Sequence, residues 1–386
     1  MQRDDFIGSP AGSLVPTERG QWAFVPNALP PSRLDHARLS KALSEAATAI
    51  GELNGIGRTL PNPYLLIRPL QRREVISSSS MEGTYTTVDE LLLAEVADGE
   101  EASSDTREVL NYMHALSAAI ASLDELPLSL RTLKDAHGTL LRGVAKGRGS
   151  SVRPGEFKQH QNYIGAFDIE KARFIPPPPQ EAQACLGDLE KYWHRDEDGI
   201  DILIDAALIH YQFETIHPFA DGNGRVGRML IILHLFMRQK LLQPLLYLSP
   251  VFERRKTEYI DRMYSVSRHG DWEGWILFFL GVMQEAARDA VVLADRIAAL
   301  QRTYRERLQK ARNSANLLAA VDYLFQTPAI SIPKLREHLG VSYPAAKANV
   351  EILMRENILI EVEGSDNPRL FFAREIINII SGSENA

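Results

Sequence analysis

Apolar residues recur at helical spacing along most of the chain, broken by short runs of Gly, Pro and Ser. Residues 32–53 are Ala/Leu-rich and predict a helix capped at its start by Ser32. The same spacing predicts helices over 63–81, 87–96, 105–123, 129–144, 180–195, 201–216, 224–239, 255–267 and 271–312. Pro69 implies a kink or a late start in the helix over 63–81. Residues 1–33, rich in Pro, Gly and Ser, read as an extended arm. Periodicity lapses again over 149–179, where β-prone pieces flank a turn-like centre and Pro176–Pro179 close the segment. That pattern predicts a two-stranded flap with an irregular tip, although the prolines alone would equally suit a stiff surface linker. Residues 314–375 then give a helix over 315–326, a second helix, a short turn at Gly340, a third helix, and two strands joined by a turn at 364–368. That order is a helix-turn-helix with a β-wing.

Length and charge narrow the classes. A chain of 386 residues has room for two or three domains. Its net charge of −7 argues against a protein built to coat nucleic acid or an anionic membrane. With Cys185 as its one cysteine it forms no internal disulfide, which fits a reducing cytosol. No basic start followed by an apolar stretch opens the sequence, so no signal peptide is expected. The longest apolar run, 229–237, is interrupted by His234 and falls well short of the roughly 20 residues of a membrane span. The expectation is a cytoplasmic protein with no membrane partner.

The stretch "IHPFADGNGRVGRML" (216–230) departs from its apolar surroundings. Pro218 disfavours helix at the preceding residue, so one helix ends at His217 and another starts near Asn223–Arg225. Gly222 and Gly224 permit a sharp turn and the close approach of a ligand. A glycine-rich entry into a helix is an anion cradle, because the first amides have no internal partner and the dipole is positive there. Asn223 adds an amide suited to a phosphate oxygen, and Asp221 is a hard oxygen ligand suited to Mg2+. Arg225 and Arg228, three apart, share a helical face and suit a polyphosphate. His217 beside them would accept a proton from a hydroxyl near neutral pH. Together these residues describe a phosphoryl- or nucleotidyl-transfer site. A structural loop between buried helices has little reason to gather them.

"HPFADGNGR" followed by Arg228 closely resembles the signature of the Fic domain family, whose members typically transfer AMP from ATP to a hydroxyl of a target protein. The resemblance implies His217 as general base, Asp221 as the Mg2+ ligand, and an anion hole lined by the amides of Gly222, Asn223, Gly224, Arg225, Val226, Gly227 and Arg228. It assigns Arg225 and Arg228 to the phosphates of the leaving pyrophosphate. The stretch "RPGEFKQHQNYIG…ARFIPPPP" is similar to the family's β-hairpin flap, which implies a target protein, with the chain itself among the candidates, docked on the flap near 163–179. Tyr259 is the candidate contact to adenine, with a plain core tyrosine as the alternative. "SSSSMEG" (77–83) resembles the family's inhibitory motif: Ser78, Glu82 and Gly83 would set a carboxylate on Arg228, where the γ-phosphate belongs. Read alone, the same stretch is a surface Glu followed by a glycine helix cap.

The fold class expected is therefore mainly α, a Fic-type helical core with a small β-hairpin flap, plus a C-terminal winged helix-turn-helix domain. The expected division is an N-terminal arm and helices with the inhibitory segment (1–125), a catalytic core (126–285), a connecting helix (286–312) and the winged-helix domain (313–386). The expected activity is a protein adenylyltransferase acting with ATP and Mg2+ and inhibited by Glu82. The alternatives are a Fic enzyme that uses another nucleotide or removes AMP, and a nucleotide-sensing transcriptional regulator. Lys347, Asn349 and Arg355 would lie on a groove-reading helix, but seven Lys/Arg against eight Asp/Glu over 312–375 disfavour DNA and favour a protein partner or a homodimer.

Overall fold

Two consecutive helices with almost no polar face set the centre of the molecule. In the computed structural model these are α7 (Ile202–Ile216) and α8 (Asn223–Met237), and nearly every residue of both is buried. A helix that is apolar all round must be enclosed on all sides. The enclosing helices are α1 (His36–Thr59), α2 (Tyr64–Ser80), α4 (Ser104–Ser122), α5 (Leu130–Leu140), α6 (Pro179–Trp193) and α11 (Trp272–Gln309). The structure describes all residues except 61, 98–101, 145–151, 167, 197–198, 310–314, 364–367 and 383–386.

Helix existence follows the sequence pattern closely, and the ends follow the caps. Thr87 opens α3 (Val88–Val96) with a reciprocal capping box to Glu90. Ser103 and Ser129 cap α4 and α5. The first helix is a correction: Asp35, not Ser32, caps α1 by accepting from Arg38 N at 3.1 Å. Pro69 lies inside a helix that continues through it. A short helix, α9 (Ser249–Arg254), precedes α10 (Lys256–His269). The connecting helix expected from 286 is the second half of α11, which begins at Trp272.

The hairpin is a second correction. It forms in the supposed arm, where β1 (Gly12–Pro16) pairs antiparallel with β2 (Trp22–Pro26). Phe24 of β2 packs on Phe6 and Phe174, and this burial orders the arm. Within 149–179 the described residues form one isolated antiparallel bridge, Ile164 with Phe174, rather than two strands. Gly165 holds φ +86 in the tight turn beside it, and the proline run that follows has no amide to donate. The exit of this segment joins the hairpin through Phe24 N to Ile175 O at 2.9 Å.

The C-terminal region contains α12 (Ala315–Gln326), β3 (Ala329–Ser331), α13 (Ile332–Leu339), α14 (Tyr343–Arg355), β4 (Ile360–Glu361), β5 (Leu370–Phe372) and α15 (Arg374–Ser381). Its antiparallel sheet has the order β3-β5-β4. Gly340 turns between α13 and α14 with φ +62, and Ser342 caps α14. The turn expected at 364–368 lies largely outside the described residues. β3 and α15 are additions to the expected order. Leu92 and Val96 of α3 form an apolar cluster with Ala329, Phe372 and Ile377, so this region is docked on the N-terminal helices. No helix among the described residues is long and apolar enough to cross a membrane.

Candidate active site

The loop between α7 and α8 is built by its own polar residues. His217 ends α7 in the left-handed region, at φ 49 and ψ 61, an unusual conformation for a residue with a side chain. Two residues of the flap segment hold the turn that follows. Asn162 donates to the carbonyls of His217 and Phe219, both at 2.9 Å, and Lys158 Nζ donates to Ile216 O at 3.1 Å. His137 stacks on Phe219 at 3.9 Å and meets Asp221 O at 3.0 Å through Nε2. Its Nδ1 accepts from Gly155 N, so the ring is neutral with its proton on Nε2. Burial pushes it down to about 4.

Asn223 is spent inside the loop. Its Oδ1 accepts from Phe219 N at 2.7 Å and its Nδ2 donates to Phe219 O at 2.8 Å. The amide expected to face a phosphate is instead the clamp that shapes the turn. Gly222 opens α8 with φ +78, and the first amide bonded back along the helix is Val226 N, to Gly222 O at 3.2 Å. The amides ahead of it are not used by the helix. Gly224 and Gly227 keep the same helix entry bare: a Cβ at Gly224 would collide with Glu82 Oε1, and one at Gly227 with Glu214 Oε1.

His217 is half-buried at this entry. Its Nδ1 lies 3.2 Å from Glu214 O, a carbonyl that can only accept. Nδ1 therefore carries the proton and Nε2 keeps its lone pair. Burial first, and then the charge of Lys158, bring the imidazole down to about 4, so it is neutral at physiological pH.

The two arginines diverge. Arg228 donates from Nε to Ser78 Oγ, and from Nη2 to Ser78 O and Glu82 Oε1, each at 2.8 Å. The side chain of Arg228 is 2% exposed and that of Glu82 34%, so the carboxylate reaches the ion pair from the open side of the cleft. Burial raises the Glu82 carboxyl, but the charge of Arg228 overcomes this and holds it below its ordinary value. Glu82 stands in the turn after α2 rather than on the helix itself, and Gly83 follows with φ +80. Arg225 is a correction to the shared arginine face. It is fully buried and paired to Glu108 of α4, away from the cleft. Its Nε and Nη2 have no hydrogen-bond partner among the described residues.

A cavity of about 210 Å³ opens in front of these groups, lined among others by Glu82, His217, Gly224, Arg228 and Tyr259. Tyr259 thus reaches the cavity wall, while its hydroxyl is tied inward to His210 Nε2 at 2.9 Å. His210 Nδ1 in turn meets Gly227 O at 3.1 Å. Asp221, half-buried at the loop, uses Oδ1 to accept from Gly222 N at 2.6 Å. Among the described residues no group of three or more His, Cys, Asp or Glu side chains could enclose a metal. A single carboxylate fits an ion that arrives with substrate phosphates and keeps its waters, as Mg2+ does. Sequence reasoning missed Lys158, Asn162, His137, Glu108, His210 and Glu214, because each acts through a contact with another element that spacing does not encode.

Comparison with known proteins agrees with this architecture. The Fic/DOC family N-terminal model matches residues 40–121 and the Fic/DOC family model matches residues 127–235. A protein adenylyltransferase Fic of Drosophila melanogaster is 26% identical over 229 residues, which span 58% of this chain and 42% of the relative. A probable protein adenylyltransferase of Aquifex aeolicus is 45% identical over 60 residues, 16% of this chain and 18% of that protein. The chain therefore matches less than half the length of either relative. Among solved structures, a Fic family protein from Desulfovibrio desulfuricans aligns over 89% of this chain and 98% of its own, with TM-score 0.54 and 21% identity. A Fic domain containing signaling protein from Bacteroides thetaiotaomicron covers 67% of this chain and 97% of its own, with TM-score 0.52 and 20% identity. These two alignments give the fold; the two family models cover the helices that build the cleft, and by that match the chain, over residues 40–235, belongs to the Fic/DOC family.

Proposed function

We propose that the protein is a self-inhibited adenylyltransferase that moves AMP from MgATP to a Ser, Thr or Tyr hydroxyl of a protein. One observation supports the proposal most: a neutral imidazole with a free Nε2 stands beside a bare, glycine-lined helix entry whose buried arginine is held by a partly exposed carboxylate. In the reaction the acceptor hydroxyl oxygen attacks the α-phosphorus and the bond to the β-phosphate oxygen breaks. The hydroxyl proton passes to His217 Nε2, and pyrophosphate leaves toward Arg228. Asp221 would hold Mg2+, which supplies charge neutralisation across the phosphates. Arg228 can serve the leaving phosphates only after Glu82 withdraws, so the Glu82–Arg228 pair is the brake.

The target segment would dock beside Ile164, Arg173 and Phe174, which line the mouth of the cavity. Residues 315–382 have the helix and strand order of a winged-helix module, and their mixed charge suits a protein partner or a second copy better than DNA. A cytosolic location accords with the lone cysteine.

The test is intact-mass measurement of the purified chain, with and without a candidate acceptor, after incubation with MgATP. Glu82→Gly should gain AMP adducts at a rate at least tenfold above the unmodified sequence. Parallel incubations with other nucleoside triphosphates read the preference. No adduct from any nucleotide with Glu82→Gly would refute the proposal.

A further inference from the structure

Glu214 sits on the last turn of α7, three residues before His217, and neither the sequence reading nor the proposed reaction uses it. Its Oε1 is buried and has no hydrogen-bond partner among the described residues. The carboxyl lies against α8 in space that exists because residue 227 is glycine. It lines the same cavity as His217, Gly224 and Arg228. It is therefore a carboxyl group facing the helix entry proposed to receive phosphates, where an ionised carboxylate would oppose the ligand.

The charged and titratable groups around it come from several elements. Arg228 of α8 and Glu82 of the turn after α2 act on it directly, and Tyr259 of α10 faces it. His217 follows it on its own helix and is bonded to its carbonyl. Lys256 and Arg173 line the cavity too, but Lys256 donates to Met81 O and Arg173 to Asp261. Arg228 has committed Nε and Nη2 to Ser78 and Glu82. Burial pushes the Glu214 carboxyl up to about 8, against the pull of Arg228 and with the help of Glu82, so the acid is mostly protonated at neutral pH.

We infer that Glu214 is a positioning residue whose neutral carboxylic acid donates a hydrogen bond to the phosphate group that replaces Glu82 on Arg228. The inference rests on the reading of 217–228 as a nucleoside triphosphate site. The protonated acid adds a donor to the cradle wall without adding a cation. Above its titration the same group becomes an anion and repels the ligand.

The experiment is calorimetric titration with MgATP at pH 7.0 and 9.0, with Glu82→Gly as the parent so that the cleft is open. The parent should bind up to about tenfold more weakly at pH 9.0: burial, the main cause that raises Glu214, remains when Glu82 is removed, and a group near 8 is at that pH only about one-tenth protonated. Glu214→Gln, a permanent donor of the same shape, should keep the pH 7.0 affinity and lose most of that pH dependence. Glu214→Ala should bind weakly at both values. Lys158, brought down to about 7 mainly by burial, titrates nearby; its contribution is common to parent and Gln variant and cancels in their comparison. Equal affinity of parent and Glu214→Ala at pH 7.0 would overturn the inference, as would an unchanged pH dependence in Glu214→Gln. A folded Glu82→Gly parent that binds no MgATP at either pH would overturn the nucleotide reading, and this inference with it.

Discussion

At the scale of single residues, what matters at His217 is which nitrogen is free. The contact of Nδ1 with Glu214 O leaves Nε2 as the acceptor, and the imidazole, brought down to about 4 by burial and then Lys158, charges only as the pH falls to about that value. The sign follows: a base whose pKa lies below the ordinary value is available at every pH above about 4. In the Glu82→Gly background, AMP transfer should therefore show no fall through pH 6.5 that is due to this group. His217→Ala should lower the transfer rate by about 10²–10⁴-fold, the usual worth of a general base, while MgATP still binds. Labelled-ATP incorporation and calorimetry read the two effects separately, and retained transfer would remove His217 from the role. The helix end at His217 and the turn at Gly222 were legible in the sequence because proline and glycine act locally. Asn223 and Arg225 were misread for the opposite reason: residue type suggested a ligand contact, whereas the side chains are committed to Phe219 and Glu108.

Among elements, the pair between Arg225 of α8 and Glu108 of α4 is the clearest case of a buried charge held by its partner. Removing one member of such a pair leaves the other uncompensated, at a cost of about 3–5 kcal/mol. Glu108→Ala should lower the unfolding free energy by that amount in denaturant titration, with no change in the Glu82–Arg228 ion pair. A loss below about 1 kcal/mol would show that Arg225 finds other partners. Most helices were predictable within a few residues, since apolar periodicity and Ser or Thr caps are local signals. The hairpin β1–β2 was not, because Phe24 becomes a strand residue by packing on Phe6 and Phe174, which are remote in sequence. α15 was overlooked for its length of eight residues, and its buried isoleucines gain their meaning only from the helices they meet.

Over the whole molecule, α2 joins the cleft to the C-terminal region. Arg72 Nη2 donates to Gln326 O, at the end of α12, and Arg72 also pairs with Glu95 of α3. Arg73 donates to Ile380 O and Ile379 O, at the end of α15. Each arginine thus caps the carbonyl end of a C-terminal helix, where a cation is favoured. Arg73→Ala should raise hydrogen exchange first in α15 while leaving α7 and α8 protected, as mass spectrometry would resolve by peptide. Uniform protection in the variant would mean that apolar burial alone seats that helix. Arg73, which grips α15, and Ser78, which accepts from Arg228, stand on the same helix little more than one turn apart. A helix held by its own hydrogen bonds moves largely as a unit, so a displacement of α15 felt at Arg73 would carry to Ser78 and to the Arg228 side chain it touches.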